Sequence, residues 1–221
     1  MRTLLFAPCI VDTEDRLQRN IKWLDYYLPL KDKLGFDRIL LVDNASPPEM
    51  LNRLETHIKD KPVFIKKKKV RLERIRQDAY PYWYRAFAES AKYSVDHGFD
   101  KIIHIDTDVF VFTDKLCNYI KEKHYLNSPG WIGFYCNIHQ YNETIFQIIT
   151  GREFIDKMYI FMTEEYLQYY PFDIAEKKVP FTHIEKNFIG DRFPEKGLFK
   201  QDPSWDFVGQ APVEMQVKFH E

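Results

Sequence analysis

The run Lys101-Ile102-Ile103-His104-Ile105 ends abruptly in Asp106-Thr107-Asp108, and a second apolar run, Val109-Phe110-Val111-Phe112, follows at once. A short, continuous apolar and β-branched run of this kind marks a strand buried on both faces. A strand that stops at Asp-x-Asp delivers two carboxylates to the carboxyl edge of a sheet, the edge at which open α/β folds bind ligands. Carboxylates so close repel each other unless one is protonated or a cation bridges them. Mg²⁺ or Mn²⁺ suits that bridge, because such ions are held by one or two carboxylates and complete their shell with phosphate oxygens and water. The residues therefore predict a metal–diphosphate site at Asp106 and Asp108. The plainer alternative is a strand followed by a capping Asp and a solvated Asp.

What precedes this stretch reads as alternating strands and helices. Thr3–Val11 is the first expected strand, with Pro8 near its end, where no ladder donor is needed. Asp12 or Thr13 can cap a helix whose apolar stripe is Ile21, Leu24 and Leu28, stopped by Gly35. Arg38–Val42 is the second strand, followed by Asp43-Asn44-Ala45-Ser46-Pro47-Pro48, and Ser46 with Glu49 resembles a capping box. Pro62–Ile65 is a third, shorter strand. Pro81 opens and Gly98 closes a helix that leads into the central strand. This alternation over residues 3 to 108 predicts a parallel sheet with right-handed crossovers.

Between the third strand and that helix, Lys66, Lys67, Lys68, Lys69, Arg71, Arg74 and Arg76 put seven cations in eleven positions. Such a run is either a solvated face or a basic lip for phosphate groups. Beyond Asp108 regularity fades. A short helix from Thr113 or Asp114 to Lys123, a strand at Trp131–Cys136, a helix at Gly151–Tyr170 and a last strand near Val213–Phe219 are expected among loops.

At 221 residues the chain is long enough for one domain with a full core, divided into a ligand-binding half at 1–113 and a second half at 114–221, and such a domain can form part of a longer protein. A net charge of −1 argues against bulk attraction to nucleic acid. Cys9, Cys117 and Cys136 have neither zinc-site nor paired-disulfide spacing, which points to a reducing compartment. Asp12, Glu14 and Asp15 end the N-terminal apolar run too early for a signal peptide, and no apolar stretch reaches transmembrane length. The expected location is cytoplasmic, free or peripheral to a membrane.

Pro8 at the end of the first strand, Val42-Asp43-Asn44-Ala45-Ser46 after the second and Asp106-Thr107-Asp108 after the fourth together resemble GT-A glycosyltransferases, most closely the family-2-like inverting enzymes. The resemblance covers residues 3 to about 113. It implies an α/β, Rossmann-like, mostly parallel sheet and a metal-dependent transfer of sugar from a nucleoside diphosphate sugar to a hydroxyl. By the same resemblance, Asp43 hydrogen-bonds the nucleotide base, which favours uridine. Asp106 meets ribose or metal-bound water, and Asp108 ligates Mn²⁺ or Mg²⁺. Pro8, Tyr84, Arg85 and Thr107 join the nucleotide-sugar contacts. The acceptor is a glycan or a lipid-linked sugar.

The resemblance places a catalytic base well after the metal motif, where Glu185, Asp191, Glu195, Asp202 and Asp206 are the acids. Asp206 is the expected base, because Trp205 beside it offers a sugar platform and desolvates the carboxylate. Two rivals remain at this stage. One is a haloacid-dehalogenase-like phosphatase with Asp106 as nucleophile and Asp108 as acid/base; the other is a non-catalytic nucleotide-sugar-binding module.

Overall fold

The computed structural model describes residues 1–73, 80–122, 129–137, 140–164, 177–192 and 201–220. Strands β1 (Thr3–Cys9), β2 (Arg38–Asp43), β3 (Val63–Lys66) and β4 (Lys101–Ile105) lie parallel in the order β3-β2-β1-β4. Helices α1 (Glu14–Tyr27), the short α2 (Lys31–Leu34), α3 (Pro48–His57) and α4 (Pro81–His97) make the connections between them. After β5 (Phe110–Val111) and α5 (Asp114–Glu122), the sheet continues on the far side of β4. There β7 (Tyr141–Thr150) runs antiparallel to both β4 and β6 (Gly130–Cys136), and β8 (His183–Glu185) closes the row beside β6. The result is a mostly parallel, seven-stranded sheet flanked by helices.

Alternation along each strand explains why both faces are covered. Leu5, Ala7, Cys9, Ile39, Leu41, Ile103 and Ile105 point into one apolar layer with α1, α3 and α5. Leu4, Phe6, Leu40, Val42 and Ile102 point into the other, with α4 and with α6 (Arg152–Met162). Strands buried on both sides read as unbroken apolar runs, which is why β1, β2 and β4 were legible. Gly98 closes α4 in the left-handed region at φ 67°, a position that costs glycine nothing.

Five expectations need correction. The side chain of Ser46 does not cap α3, whose N-cap is Pro47; Ser46 Oγ donates to Asp43 and accepts from the Val11 amide. The buried face of α1 is Leu17, Asn20, Trp23, Leu24 and Tyr27, rotated from the expected stripe. The helix after Gly151 spans Arg152–Met162, and residues 165–170 lie outside the described set. Residues 213–219 are not a strand but a strap, tied by the bridge of Thr113 to His220 and by Lys22 Nζ donating to the carbonyl of Val213 at 2.8 Å. The longest strand, β7, was not anticipated at all. Its polar Glu143, Thr144 and Gln147 are fully buried, and Gln147 accepts from Trp131 Nε1 at 2.6 Å, an internal partner for part of that polarity.

One buried cation sits at the opposite end of β4. Lys101 is 1% exposed and donates to the carbonyls of Ile120 and Lys121 at the end of α5. Burial pulls its pKa down to about 7 from 10.5. Between those values the unfolded chain binds more protons than the folded one, so this group makes stability rise with pH across that window. Denaturant titrations at pH 7, 8 and 9 are expected to show that rise, and Lys101→Met is expected to flatten it. Equal slopes in the two proteins would assign the pH dependence elsewhere.

Candidate active site at the carboxyl edge of the sheet

The strands β1, β2 and β4 end at Cys9, Asp43 and Ile105, and the Asp-x-Asp turn begins one residue later. The turn is fixed through its backbone. The Asp106 amide donates to Ile145 O of β7 at 3.0 Å, Val109 N donates to Asp106 O at 3.0 Å, and Ala211 N donates to Asp108 O at 2.8 Å. Its far side is fixed by α1, where Tyr27 Oη donates to Val109 O at 3.0 Å and accepts from Val111 N at 3.1 Å. Thr107, half-buried, is the middle of the turn.

The side chains meet a histidine and an arginine. Asp106 Oδ1 lies 2.9 Å from Nε2 of His104, which is fully buried against Phe6 and Phe87. Asp108 Oδ2 lies 3.4 Å from Arg19 Nη1. Burial first, and the neighbouring Asp106 charge second, push the Asp108 pKa up to about 6, while Arg19 and Arg192 pull against them. Because β7 is antiparallel to β4, its first residues lie beside the end of β4, which carries Glu143 to this edge. Glu143 is fully buried, and its Oε2 is 3.4 Å from Arg192 Nη1, which follows β9 (Gly190–Asp191). Sequence reasoning missed Arg19, Glu143 and Arg192. No local pattern marks them; only the pairing of β7 with β4 and the rotation of α1 bring them in.

Strand β9 belongs to a second, three-stranded sheet in which β10 (Phe207–Val208) sits between β5 and β9. Gly190 is required there, since a Cβ would come within 2.2 Å of the Phe207 ring. Asp206, just before β10, accepts from Thr113 Oγ1 at 2.6 Å and from the Ile189 amide at 2.9 Å. Both of its carboxylate oxygens thus tie this small sheet together. Asp206→Ala is expected to cost about 2–4 kcal/mol, the worth of two hydrogen bonds to a charged group. A denaturant midpoint unchanged by the substitution would contradict the clamp and return Asp206 to a purely chemical role.

On the other side of the turn the expected nucleotide contacts divide. Pro8 lies on β1 beyond its last pairing with β4, at Phe6 and His104, and so borders the open edge. Asp43, 1% exposed, accepts from the Ser46 amide at 3.1 Å and from Ser46 Oγ at 2.5 Å, as a residue shaping its own turn does. Tyr84 is 1% exposed, packed edge-on against Trp83 in the core, and so does not line the edge. Arg85 donates to Val70 O at 2.8 Å and to Asn44 Oδ1. Asn44 in turn donates from Nδ2 to Leu72 O and accepts from Leu72 N, each at 3.0 Å. Arg85 and Asn44 therefore dock the segment 70–72 beside β2.

The basic run is largely paired. Lys66 and Lys68 face Glu89, Lys67 faces Glu55, and Arg71 faces Asp12 and Glu73. Arg74 and Arg76 lie outside the described residues. Its described part is a braced surface more than a free phosphate lip. Among the acids expected downstream, Glu185 accepts from the Lys186 and Asn187 amides and from Asn187 Nδ2. Asp202 is taken by Ser204, Glu195 lies outside the described residues, and Asp191 is 9% exposed beside Arg192.

Among the described residues, no group of three or more His, Cys, Asp or Glu side chains is arranged to hold a metal ion. A cation at Asp106 and Asp108 would therefore draw the rest of its shell from phosphate and water, as Mg²⁺ ordinarily does. Among the same residues no helix is long and apolar enough to cross a membrane.

No protein-family model matches the sequence, and no curated protein sequence matches it. Solved structures do. A glycosyltransferase involved in glycosylation of the major capsid of PBCV-1 superposes with a TM-score of 0.53 at 10% identity, over 97% of this chain and 98% of that one. The galactosyltransferase LgtC, solved with donor and acceptor sugar analogues, superposes with a TM-score of 0.54 at 10% identity, over 98% of this chain and 84% of that one. At such identity the likeness shows the fold.

Proposed function

From the premise of a GT-A-like glycosyltransferase fold, we propose that this chain transfers a sugar from a nucleoside diphosphate sugar to a hydroxyl of a glycan or lipid-linked acceptor. The observation that carries the reading is the pair Asp106 and Asp108, fixed by backbone hydrogen bonds at the carboxyl end of β4, in a fold shared with sugar transferases. Nothing in this arrangement favours the phosphatase alternative, whose nucleophile follows a first strand. Here the motif follows the fourth strand.

The residues fit a divalent cation. One turn carries both carboxylates; burial first and the Asp106 charge second raise the pKa of Asp108, and a cation relieves the repulsion between the two. Asp108 is the direct ligand in this reading and Asp106, held by His104, the second. A bound Mg²⁺ or Mn²⁺ supplies Lewis-acid neutralisation of the departing diphosphate. Arg192 adds a fixed positive charge at the same edge without needing to reorganise. The acceptor oxygen bonds to the anomeric carbon, the bond to the diphosphate oxygen breaks with its electron pair, and the hydroxyl proton passes to a base.

We assign that base to Asp191, which β9 places next to Arg192, whose guanidinium meets Glu143 at this edge. The proposed outcome is inversion at the anomeric carbon, read by NMR of the product. Asp191→Asn should keep donor affinity and lower kcat by about 10²–10⁴, the usual worth of a positioned base.

Thermal unfolding with nucleoside diphosphates tests the donor. UDP with Mn²⁺ is expected to stabilise the protein, by about 2.7 kcal/mol at 100 times Kd, and EDTA to abolish the effect. The uridine preference rests on Asp43 Oδ2, which takes the Ser46 amide and retains a second lone pair. UDP should then bind at least about tenfold tighter than CDP, which lacks the N3–H donor. Equal binding of the two would leave Asp43 to its turn alone.

A further inference from the structure

Among the described residues Arg19 is the cation in contact with Asp108, yet it is poorly used there. Its Nη1 stands 3.4 Å from Asp108 Oδ2, well beyond the roughly 2.7–2.9 Å of a good charge-assisted hydrogen bond. Its Nε is sealed from solvent and makes no hydrogen bond. A guanidinium offers five donors in a planar fork matched to phosphate, so one long contact leaves most of that capacity unspent.

The helix beneath it is held. Thr13 caps α1, Tyr26 Oη donates to Val111 O at 2.6 Å, Tyr27 bonds both Val109 and Val111, and Lys22 Nζ donates to the carbonyl of Val213. Any adjustment at the site therefore falls to the Arg19 side chain, which is 37% exposed and has room to move.

We propose that Arg19 is the resident counter-ion of Asp108, which yields that carboxylate to an incoming divalent cation and turns its guanidinium onto the diphosphate of the donor. The inference rests on the reading of this edge as a metal–nucleoside diphosphate site. Without ligand, Arg19 offsets part of the repulsion between Asp106 and Asp108. A divalent cation on the same carboxylates repels it at short range. The nearest new anion is then the diphosphate, which can take the fork that Asp108 uses so sparingly. Metal alone must displace Arg19 and so binds weakly. Metal with nucleoside diphosphate binds tightly, because Arg19 regains a partner. The coupling is reciprocal by linkage.

The test uses Mn²⁺ binding by electron paramagnetic resonance and UDP binding by calorimetry, neither of which depends on turnover. Arg19→Gln should bind Mn²⁺ alone about three- to tenfold tighter than the wild type, since a competing charge is gone. In saturating Mn²⁺ the same variant should bind UDP about tenfold or more weakly, the loss of a charged hydrogen bond, with uridine binding unchanged. Arg19→Lys, which keeps the charge and loses the fork, should fall between on both. Unchanged or weaker Mn²⁺ affinity in Arg19→Gln would overturn the counter-ion role, and unchanged UDP affinity would overturn the hand-over. A wild type that binds no Mn²⁺–UDP removes the underlying site and this inference with it. An Arg19→Gln protein matching a competent wild type removes this inference alone.

Discussion

Asp108→Asn is expected to abolish metal-dependent binding of nucleoside diphosphate and to lower turnover by about 10²–10⁴, while the protein stays folded and melts at or above the wild-type temperature. The loss follows from removing the proposed direct ligand, since a cation that neutralises the leaving group supplies several kcal/mol of transition-state stabilisation. The gain in stability follows from the pKa. Asp108 titrates at about 6 in the folded protein against 3.8 ordinarily. Between those values the folded state holds more protons than the unfolded one, so stability falls as pH rises through the window. At pH 7 the ionised carboxylate is a net cost that asparagine removes, worth about 1–3 kcal/mol for a side chain 22% exposed. An Asp108→Asn protein that still binds UDP in an EDTA-sensitive way would remove Asp108 from the metal.

The second large effect concerns the pair behind the site. Glu143 is fully buried and Arg192 nearly so, with side-chain exposures of 0% and 7%. Removing one partner of such a pair leaves the other charge enclosed without its main compensation, at a cost of about 3–5 kcal/mol. Arg192→Met is therefore expected to lower the melting temperature by on the order of 10 °C in a chain of this size. Arg192→Met with Glu143→Gln should recover at least half of the loss, because the enclosed charge has gone too. Strict additivity in that double-mutant cycle would show that the 3.4 Å approach carries no coupling. Recovered stability without recovered activity would separate the pair's structural role from the positive charge Arg192 supplies to the leaving group.

Strands β1, β2 and β4 were legible because they are buried on both faces, and Pro and Gly mark the bounds of the helix before β4. Thus Pro81 and Gly98 bracket α4, and the apolar run of β4 ends where Asp106 begins. The paired acids were legible for the same reason. What sequence could not show was the neighbourhood they meet. Strand β7 hid behind Glu143, Thr144 and Gln147, polar residues buried inside the sheet, where Gln147 meets Trp131 and Glu143 meets Arg192, instead of facing water. Missing β7 meant missing Glu143 and, through it, Arg192. Asp43 and Asp206 show what spacing leaves out. Each is an acid in the right stretch of chain, but Ser46 in one case and Thr113 with Ile189 in the other claim the carboxylate. Such claims depend on which loop residues fold back, and spacing alone does not encode them. Tyr84 sits on the expected helix but faces the core, because its rotation is set by the packing of Trp83 and Phe87.

The central claim is that Asp106 and Asp108 serve metal-dependent sugar transfer. Its most direct measurement is release of nucleoside diphosphate from a panel of nucleotide sugars, with and without a glycan acceptor, in Mn²⁺ and then in EDTA. The account predicts release from one donor, stimulated by acceptor, stopped by EDTA and lost in Asp108→Asn. Release at the same rate in EDTA, or from the Asp108→Asn protein, would contradict it.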